Sequence, residues 1–387
     1  LAAGQPTFHE PMLPELLKKH LKAKKVRFST STAEATRFGE AIFVCVSTPP
    51  LADGGVDMRY FENVSRDIAG ALSNYRVIVE KSTVPIRTSE HMRKNILRYA
   101  KPGVEFDVAS NPEFLREGSA IEDTLKPDRI VIGTQSRRAE TVLRAAYKGF
   151  DAPMVVTTIH SAEMIKLASN AYLAMRLSFI NAISRICELG GADVDEVARG
   201  MGLDPRIGTH FLKAGIGYGG SCFPKDVDGL YHVARSMGYD FPLLSEVQAI
   251  NEEQWLHLVE RVEDELWSLS GKTIALWGLS FKPNTDDLRE SPALKIANEL
   301  MSRGAIVRAY DPSVPSLPKG TADGIVFARN ALDAAKGADA LVLATEWSEF
   351  TDVKQTPPAK VKAAMRVPVV FDGRNSLDAG AYRDAGF

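Results

Sequence analysis

The sequence predicts an α/β protein in which two doubly wound domains are joined by a central helical domain built on one long helix. Over the first third, short apolar runs alternate with helical patterns. Residues 161–189 form one helical run without proline or glycine. The last third returns to alternating strands and helices. Strand, helix, strand in series implies a parallel sheet with helices on both faces. The expected boundaries are 1–158, 159–258 and 259–387, which suits a chain of 387 residues, too long for one ordinary core.

In the first domain, residues 41–46 (AIFVCV), 77–79, 107–109 and 130–132 are expected as short buried strands. Helices are expected between them at 62–72 and 88–99. Each strand ends in a polar or proline-bearing loop: STPP at 47–50, KSTVP at 81–85 and NPE at 111–113. Ligands in such folds sit at the carboxyl ends of the strands, so these loops should line one edge. In the middle, the alanines, leucines, isoleucines and methionines of 161–189 suit an interior helix. Further helices are expected at 193–201, 226–237 and 245–269. Such a layer commonly bridges two α/β domains and carries a dimer interface, so a homodimer through the central helix is expected. In the last domain, 273–279 (TIALWGL), 306–310, 340–344 and 369–371 read as strands and 292–303 as a helix. There is no short-period repeat, and the two α/β ends suggest a pseudo-symmetric plan.

Composition narrows the partners. Lysine and arginine number 47 against 49 acids, a formal charge of -2, which gives no electrostatic reason to expect nucleic acid or an anionic membrane. The longest apolar runs fall short of the 18 or so residues of a membrane span, and no basic-then-apolar leader opens the chain. Three cysteines, Cys45, Cys187 and Cys222, do not make a disulfide framework, so a reducing, cytoplasmic setting is expected. No metal is expected.

The densest chemistry lies at 215–226, GIGYGGSCFPKD. Gly215, Gly217 and Gly220 have the letters of a dinucleotide fingerprint. That motif must follow a strand and open a helix, but residues 209–214 do not read as a strand, and no suitable acid ends a following strand about 20 residues on. The better reading is glycines crowding a reactive thiol, because glycine allows close backbone approach and positive φ. Lys225 and Asp226 follow Cys222, and a nearby cation can lower a thiol pKa from about 8.5. A buried structural role suits Cys45, within a strand, and Cys187, within a helix. Lys166 and Asn170, four apart on the long helix, share a face, with Glu163 near it. A buried lysine there could stabilise an oxyanion or move a proton; a solvated polar pair is the plainer alternative. Glu113 and Glu117, in NPEFLREG, could include a general base, or could be a capping acid and a surface acid. Lys282 and Arg289, in the loop at 278–293, and Arg374, in DGRN, are candidate phosphate contacts.

Together these motifs resemble the UDP-glucose/GDP-mannose dehydrogenase family nearly end to end. The carriers are FHEPMLPELL at 8–17, VSTPP at 46–50, KSTVP at 81–85, NPEFLREGSA at 111–120 and KLASNAY at 166–172. GIGYGGSCFPKD, GLSFKPNTDDLRESPA at 278–293 and DGRN at 372–375 complete the set. The resemblance implies two Rossmann-like domains around the helical one. It implies NAD-dependent, four-electron oxidation of UDP-glucose to UDP-glucuronate. Cys222 would trap the aldehyde as a thiohemiacetal and then carry a thioester. Lys166 and Asn170 would stabilise the oxyanion, and Asp226 would support them in proton handling. Thr83 and Glu117 would order and activate water, with Glu113 assisting. Lys282 and Arg374 would hold the nucleotide sugar. Phe211 would line the nucleotide site, and Leu115, Arg116 and Gly219 would add substrate contacts. Arg206 matches an arginine that reaches the partner subunit's substrate. Thr48, Pro49, Thr83, Glu117, Lys225 and Arg289 would touch NAD.

The family opens with a glycine-loop βαβ unit of roughly 30 residues or more, which carries the pyrophosphate cradle and the acid that selects NAD. That unit is expected ahead of Leu1, and a short tail after DGRN; without the βαβ unit, cofactor affinity should collapse. Other substrates remain open: a UDP-N-acetyl-hexosamine or GDP-mannose. A non-catalytic UDP-sugar-binding fragment is a further alternative. The β-hydroxyacid dehydrogenases, which share K-x-x-x-N on a helix after a dinucleotide domain, need one hydride transfer and no thiol.

Overall fold

The structure, a computed structural model, describes residues 1–51 and 55–387. It divides into two compact units, one made of Leu1–Ala171 with Lys225–Phe241, the other of Tyr172–Pro224 with Pro242–Phe387.

In the first unit the elements run α1 (Leu13–Lys22), α2 (Thr32–Phe38), β1 (Ala41–Val44), α3 (Arg59–Ala71), β2 (Arg76–Glu80) and α4 (Thr88–Tyr99). They continue through β3 (Phe106–Ser110), α5 (Ala120–Leu125), β4 (Ile130–Gly133), α6 (Arg137–Ala146), β5 (Met154–Thr157) and the start of α7 (Ile159–Gly190). The strands form one sheet in the order β1-β2-β3-β4-β5. Strand β2 explains why the sheet is buried on both faces. Val77 and Val79 enter one apolar cluster, with Ala109 and Ile132; Ile78 enters the other, with Val44, Phe61 and Met92. A strand apolar on both sides reads as a continuous run, as RVIVE does. Helix starts are set by side-chain caps: Ser31 Oγ accepts from Glu34 N (3.2 Å) and Ser136 Oγ from Ala139 N (3.2 Å).

The expected all-parallel sheet needs one correction. β1–β3 are parallel, and so are β4 and β5, but β3 and β4 meet antiparallel at Ser110 and Gly133. A parallel crossover needs a helix long enough to bring the chain back along the sheet. Here the connection holds only the six-residue α5. Strand β5 was not expected from the sequence.

The second unit takes the rest of α7, α8 (Val194–Gly202) and, after α9 (Phe223–Ser236), α10 (Pro242–Leu266). Helix α9 starts three residues earlier than expected, because Pro224 in its first turn is preset for helix. Trp267, at φ 63°, follows the last residue of α10. Then come β6 (Thr273–Trp277), α11 (Pro292–Ser302), β7 (Ile306–Tyr310), β8 (Val326–Phe327) and α12 (Ala331–Ala335). The chain closes with β9 (Ala340–Leu343), α13 (Ser348–Thr351), α14 (Pro358–Ala364), β10 (Val370–Asp372) and α15 (Ala379–Asp384). The second sheet is parallel throughout, in the order β10-β9-β6-β7-β8.

Central strand β6 alternates like β2: Ile274 and Leu276 face one cluster, Ala275 and Trp277 the other. The Trp277 indole stacks on Phe350 (5.2 Å) and donates its N–H to Ala331 O (3.0 Å), so its polar atom is satisfied in the core. Two aspartates fix the loops at the carboxyl ends of these strands. Asp311 accepts from Leu279 N (2.8 Å), Ser280 N (3.0 Å) and Trp347 Nε1 (3.2 Å). Asp372 accepts from Arg374 N (3.0 Å), Ser376 N (2.7 Å) and Leu377 N (2.7 Å). Among the described residues no helix is long and apolar enough to cross a membrane.

Candidate active site

In the first unit, α7 presents Lys166 and Asn170 one turn apart, only 4% and 7% exposed, so they are not a solvated surface pair. Lys166 Nζ donates to Glu113 Oε1 (3.1 Å), and the other Glu113 oxygen accepts from Leu115 N (2.7 Å). Asn170 Nδ2 donates to Asp226 Oδ2 (2.6 Å), and Lys225 Nζ donates to Asp226 Oδ1 (2.6 Å). Asp226 is thus a buried carboxylate with a donor on each oxygen, the condition under which burying one is tolerable. The loops after β1 and β2 meet where Thr48 Oγ1 donates to Thr83 O (3.0 Å). Thr83, Lys225, Asp226 and Leu167 line a cavity of about 10 Å³, close to what one water requires.

The loop after β3 holds Glu117, half-buried, and Leu115 and Arg116, exposed. Arg116 is bound to Asp123 through Nε (3.0 Å) and Nη2 (2.5 Å). A cavity of about 230 Å³ opens beside this loop, lined in part by Lys81, Glu113, Arg116, Arg129 and Tyr147. Burial pulls the Lys81 ammonium pKa down, with Cys45 and Glu113 opposing the shift. Its Nζ donates to Asn111 O (3.2 Å) and Oδ1 (3.1 Å). Cys45 is a correction. It was expected inside a strand, but β1 ends at Val44, and Cys45 just beyond it is exposed.

Sequence reasoning missed Glu10. It is 5% exposed, and its two oxygens accept from Gly118 N and Ala120 N, both at 2.8 Å. It therefore pins the loop that carries Glu113 and Glu117. The only signal was its place in FHEPMLPELL, more than 100 residues from its partners.

In the second unit, Cys222 is half-buried, directly before the first residue of α9, with Sγ 3.6 Å from Ser221 Oγ. Cys187 is buried in α7, as expected. No strand precedes the glycine run, so the rejected dinucleotide fingerprint stays rejected. Asn251 brackets Tyr218, accepting from its N–H (2.8 Å) and donating to its carbonyl (3.1 Å). Arg374 donates to Gly217 O (3.2 Å), Phe281 O (2.9 Å) and Ala344 O (2.7 Å), joining the glycine run to the loops after β6 and β9. Burial pulls its pKa down, and Glu346 and Asp372 oppose this. Phe211, at φ 59°, packs near Phe223 with ring centroids 6.1 Å apart. Lys282 Nζ lies 5.4 Å from the Phe281 ring centre. Arg206 and Arg289 are exposed, each bound to a neighbouring aspartate, Asp204 (2.6 Å) and Asp287 (2.7 Å).

Gly219 and Gly220 are required by space. A Cβ on Gly219 would overlap the Glu290 carbonyl, and Gly220 sits at φ 81° with the Phe281 ring against it. Gly219→Ala is expected to lower stability by about 1–3 kcal/mol, through overpacking. A urea midpoint unchanged from the parent would contradict this.

Residues 1–151 match the NAD binding domain of the UDP-glucose/GDP-mannose dehydrogenase family, 160–253 its central domain and 275–379 its UDP binding domain. The chain belongs to this family. It is 46% identical over 367 residues to the UDP-glucose 6-dehydrogenase YwqF of Bacillus subtilis, covering 95% of this chain and 83% of that protein. It is 40% identical over 401 residues to the UDP-glucose 6-dehydrogenase of Pseudomonas aeruginosa, covering 100% and 88%. A UDP-glucose dehydrogenase structure from Pyrobaculum islandicum superposes with a TM-score of 0.91 at 37% identity, covering 98% of this chain and 87% of that one. Family membership makes the chain an NAD-dependent oxidoreductase. The ledge of Thr48, Ser82 and Thr83 at the carboxyl ends of β1 and β2 fits that cofactor, because the fold class seats dinucleotides there and these residues offer hydroxyls.

Proposed function

We propose that the chain oxidises UDP-glucose to UDP-glucuronate in two steps, with Cys222 as the covalent catalyst. The observation that carries this reading is the buried trio of Lys166, Asn170 and Asp226, with half-buried Glu113 bonded to Lys166 and half-buried Lys225 bonded to Asp226. Such preorganised donors act on an oxygen that gains charge during reaction.

NAD, held by residues such as Thr48, Pro49 and Thr83, would supply the hydride acceptor for both oxidations at C6 of the sugar. Lys166, aimed by Glu113, and Asn170, aimed by Asp226, hold the C6 oxygen as its charge changes, and the hydroxyl proton shed in the first oxidation passes to water beside Asp226. Cys222 adds to the C6 aldehyde, forming a C–S bond as its thiol proton passes to the C6 oxygen. The amino end of α9, directly after Cys222, favours an anionic sulfur. Loss of the second hydride and of that proton leaves a thioester. Water, ordered by Thr83 and deprotonated by Glu117 with help from Glu113, cleaves the C–S bond and returns the thiol and the acid.

Lys282, Arg374, Phe211, Gly219, Leu115 and Arg116 are proposed to hold the nucleotide sugar. Thr48, Pro49, Thr83, Glu117, Lys225 and Arg289 are proposed to contact the cofactor. The division at 1–158, 159–258 and 259–387 is proposed as the functional one. A homodimer through α7 is supported by Tyr172, Phe179 and Ile186, all exposed and spaced seven apart on one face, with Leu189 92% exposed nearby. Arg206 then reaches the partner's substrate. Three cysteines, with no disulfide among the described residues, support a cytoplasmic setting.

Competition among UDP-glucose, UDP-N-acetylglucosamine and GDP-mannose tests the substrate. The kcat/KM for UDP-glucose should exceed the others by about 100-fold or more, the discrimination available when a site pairs the polar groups of one sugar and not another. Equal or reversed values would overturn the assignment.

A further inference from the structure

Beneath the proposed network lies a second pair of acids that the mechanism does not use. Glu163, on α7 one turn before Lys166, is 2% exposed, and Glu80, the last residue of β2, is also 2% exposed. Glu163 Oε2 accepts from Arg87 N (2.7 Å) and Oε1 from Ser89 N (3.0 Å). These are amides at the amino end of α4, which follows the loop carrying Thr83. Helix α4 has no cap from its own side chains: Arg87 occupies the N-cap position at φ 75° without one. A non-glycine residue in that region is strained, and persists where the surroundings over-determine it. The carboxylate of Glu163 supplies the missing acceptor from another helix. A second tie joins the same two helices, His160 Nε2 to Glu90 Oε1 (2.9 Å).

We propose that Glu163 is a positioning residue that locks the start of α7 to the amino end of α4, fixing Lys166 and Asn170 against the loop of Thr83, with Glu80 as its carboxyl partner. This rests on the reading of Lys166 and Asn170 given above. The two carboxyl groups are within hydrogen-bonding reach of each other. Ser89 Oγ also donates to Glu80 Oε2, and Ser110 Oγ to Glu80 Oε1 (3.3 Å). Burial, and then the charge of Glu163, push the Glu80 carboxyl well above the usual carboxylate range. Glu80 therefore carries the proton and donates it to Glu163. Glu163 receives two backbone N–H groups, one on each carboxyl oxygen. The roles are unequal: Glu163 accepts from two backbone N–H groups at the start of α4, whereas Glu80 is held by the hydroxyls of Ser89 and Ser110.

This asymmetry gives the test. Glu80→Gln keeps a neutral donor of the same shape, so kcat should stay within about twofold of the parent. Glu163→Gln turns an amide NH2 toward a backbone N–H and releases one of the two ties. Its kcat should fall about 10- to 100-fold, the range for a small displacement of positioned groups, while KM for UDP-glucose changes less than about twofold. Amide hydrogen exchange at Arg87 and Ser89 should quicken in Glu163→Gln and not in Glu80→Gln. Parental kcat in Glu163→Gln, or an equal loss in both variants, would overturn the proposal. So would a loss in Glu163→Gln that tracks only the fraction of folded protein. Should Glu163→Gln fail to fold, Glu80→Gln still decides, because a fall in its kcat contradicts the neutral-donor role. Lys166→Ala measured alongside separates the two layers. If it keeps parental kcat, the reading of the site fails. If it loses activity and Glu163→Gln does not, only the positioning proposal fails.

Discussion

Replacing Cys222 by serine is expected to abolish net formation of UDP-glucuronate, with the four-electron kcat falling by a factor on the order of 10³ or more. The reason is chemical. A thiol ionises near neutrality, and a serine hydroxyl does not without a dedicated base. No histidine lies within GIGYGGSCFPKD to act as one. Backbone shape should survive, since the glycines on either side of Tyr218 and the Asn251 bracket do not depend on the sulfur. The thermal midpoint should therefore move by less than a few degrees. Chromatographic separation of UDP-glucose, UDP-glucuronate and any aldehyde gives the readout. Undiminished acid formation would sink the covalent route.

Lys166→Ala is expected to cost about 10²–10³ in kcat, equivalent to about 2.7–4 kcal/mol, the measured range for loss of one preorganised donor at a developing oxyanion. The side chain is 5% exposed and its Nζ is aimed by Glu113. KM should change less, because the interaction strengthens as charge develops on the oxygen. Stability should fall modestly, since Glu113 is 28% exposed and can be hydrated when its partner is lost. Lys166→Arg is not a rescue, because a planar fork cannot present a single point charge in the same space. A parental kcat in Lys166→Ala would remove the lysine from the chemistry.

The long helix was legible because nothing interrupts it: 161–189 lacks proline and glycine, and α7 spans Ile159–Gly190. Strands β2 and β6 were legible as apolar runs bounded by polar loops. Strand β5 was not, for MVVT is short and none of its four residues is buried; β8 has two residues, both exposed. Nor could the antiparallel step from β3 to β4 be read, because direction depends on where the connection returns. Site residues on one element were visible as spacings, such as Lys166 and Asn170. Their partners were not: Asp226 lies 56 residues from Asn170, and Glu10 lies 108 from Gly118. Glu163 was seen as near the Lys166 face, but the amides it accepts from, at Arg87 and Ser89, are 74 and more residues away. Local pattern encodes elements, whereas these pairings appear only once the chain has folded.

The central claim is a four-electron oxidation by one active site. The direct measurement is the number of moles of NADH formed per mole of UDP-glucose consumed, followed by absorbance to completion with product identified. Two NADH per sugar, with UDP-glucuronate as product, is the predicted result. One NADH per sugar with the aldehyde as product, or sugar consumed with no NADH, would contradict it.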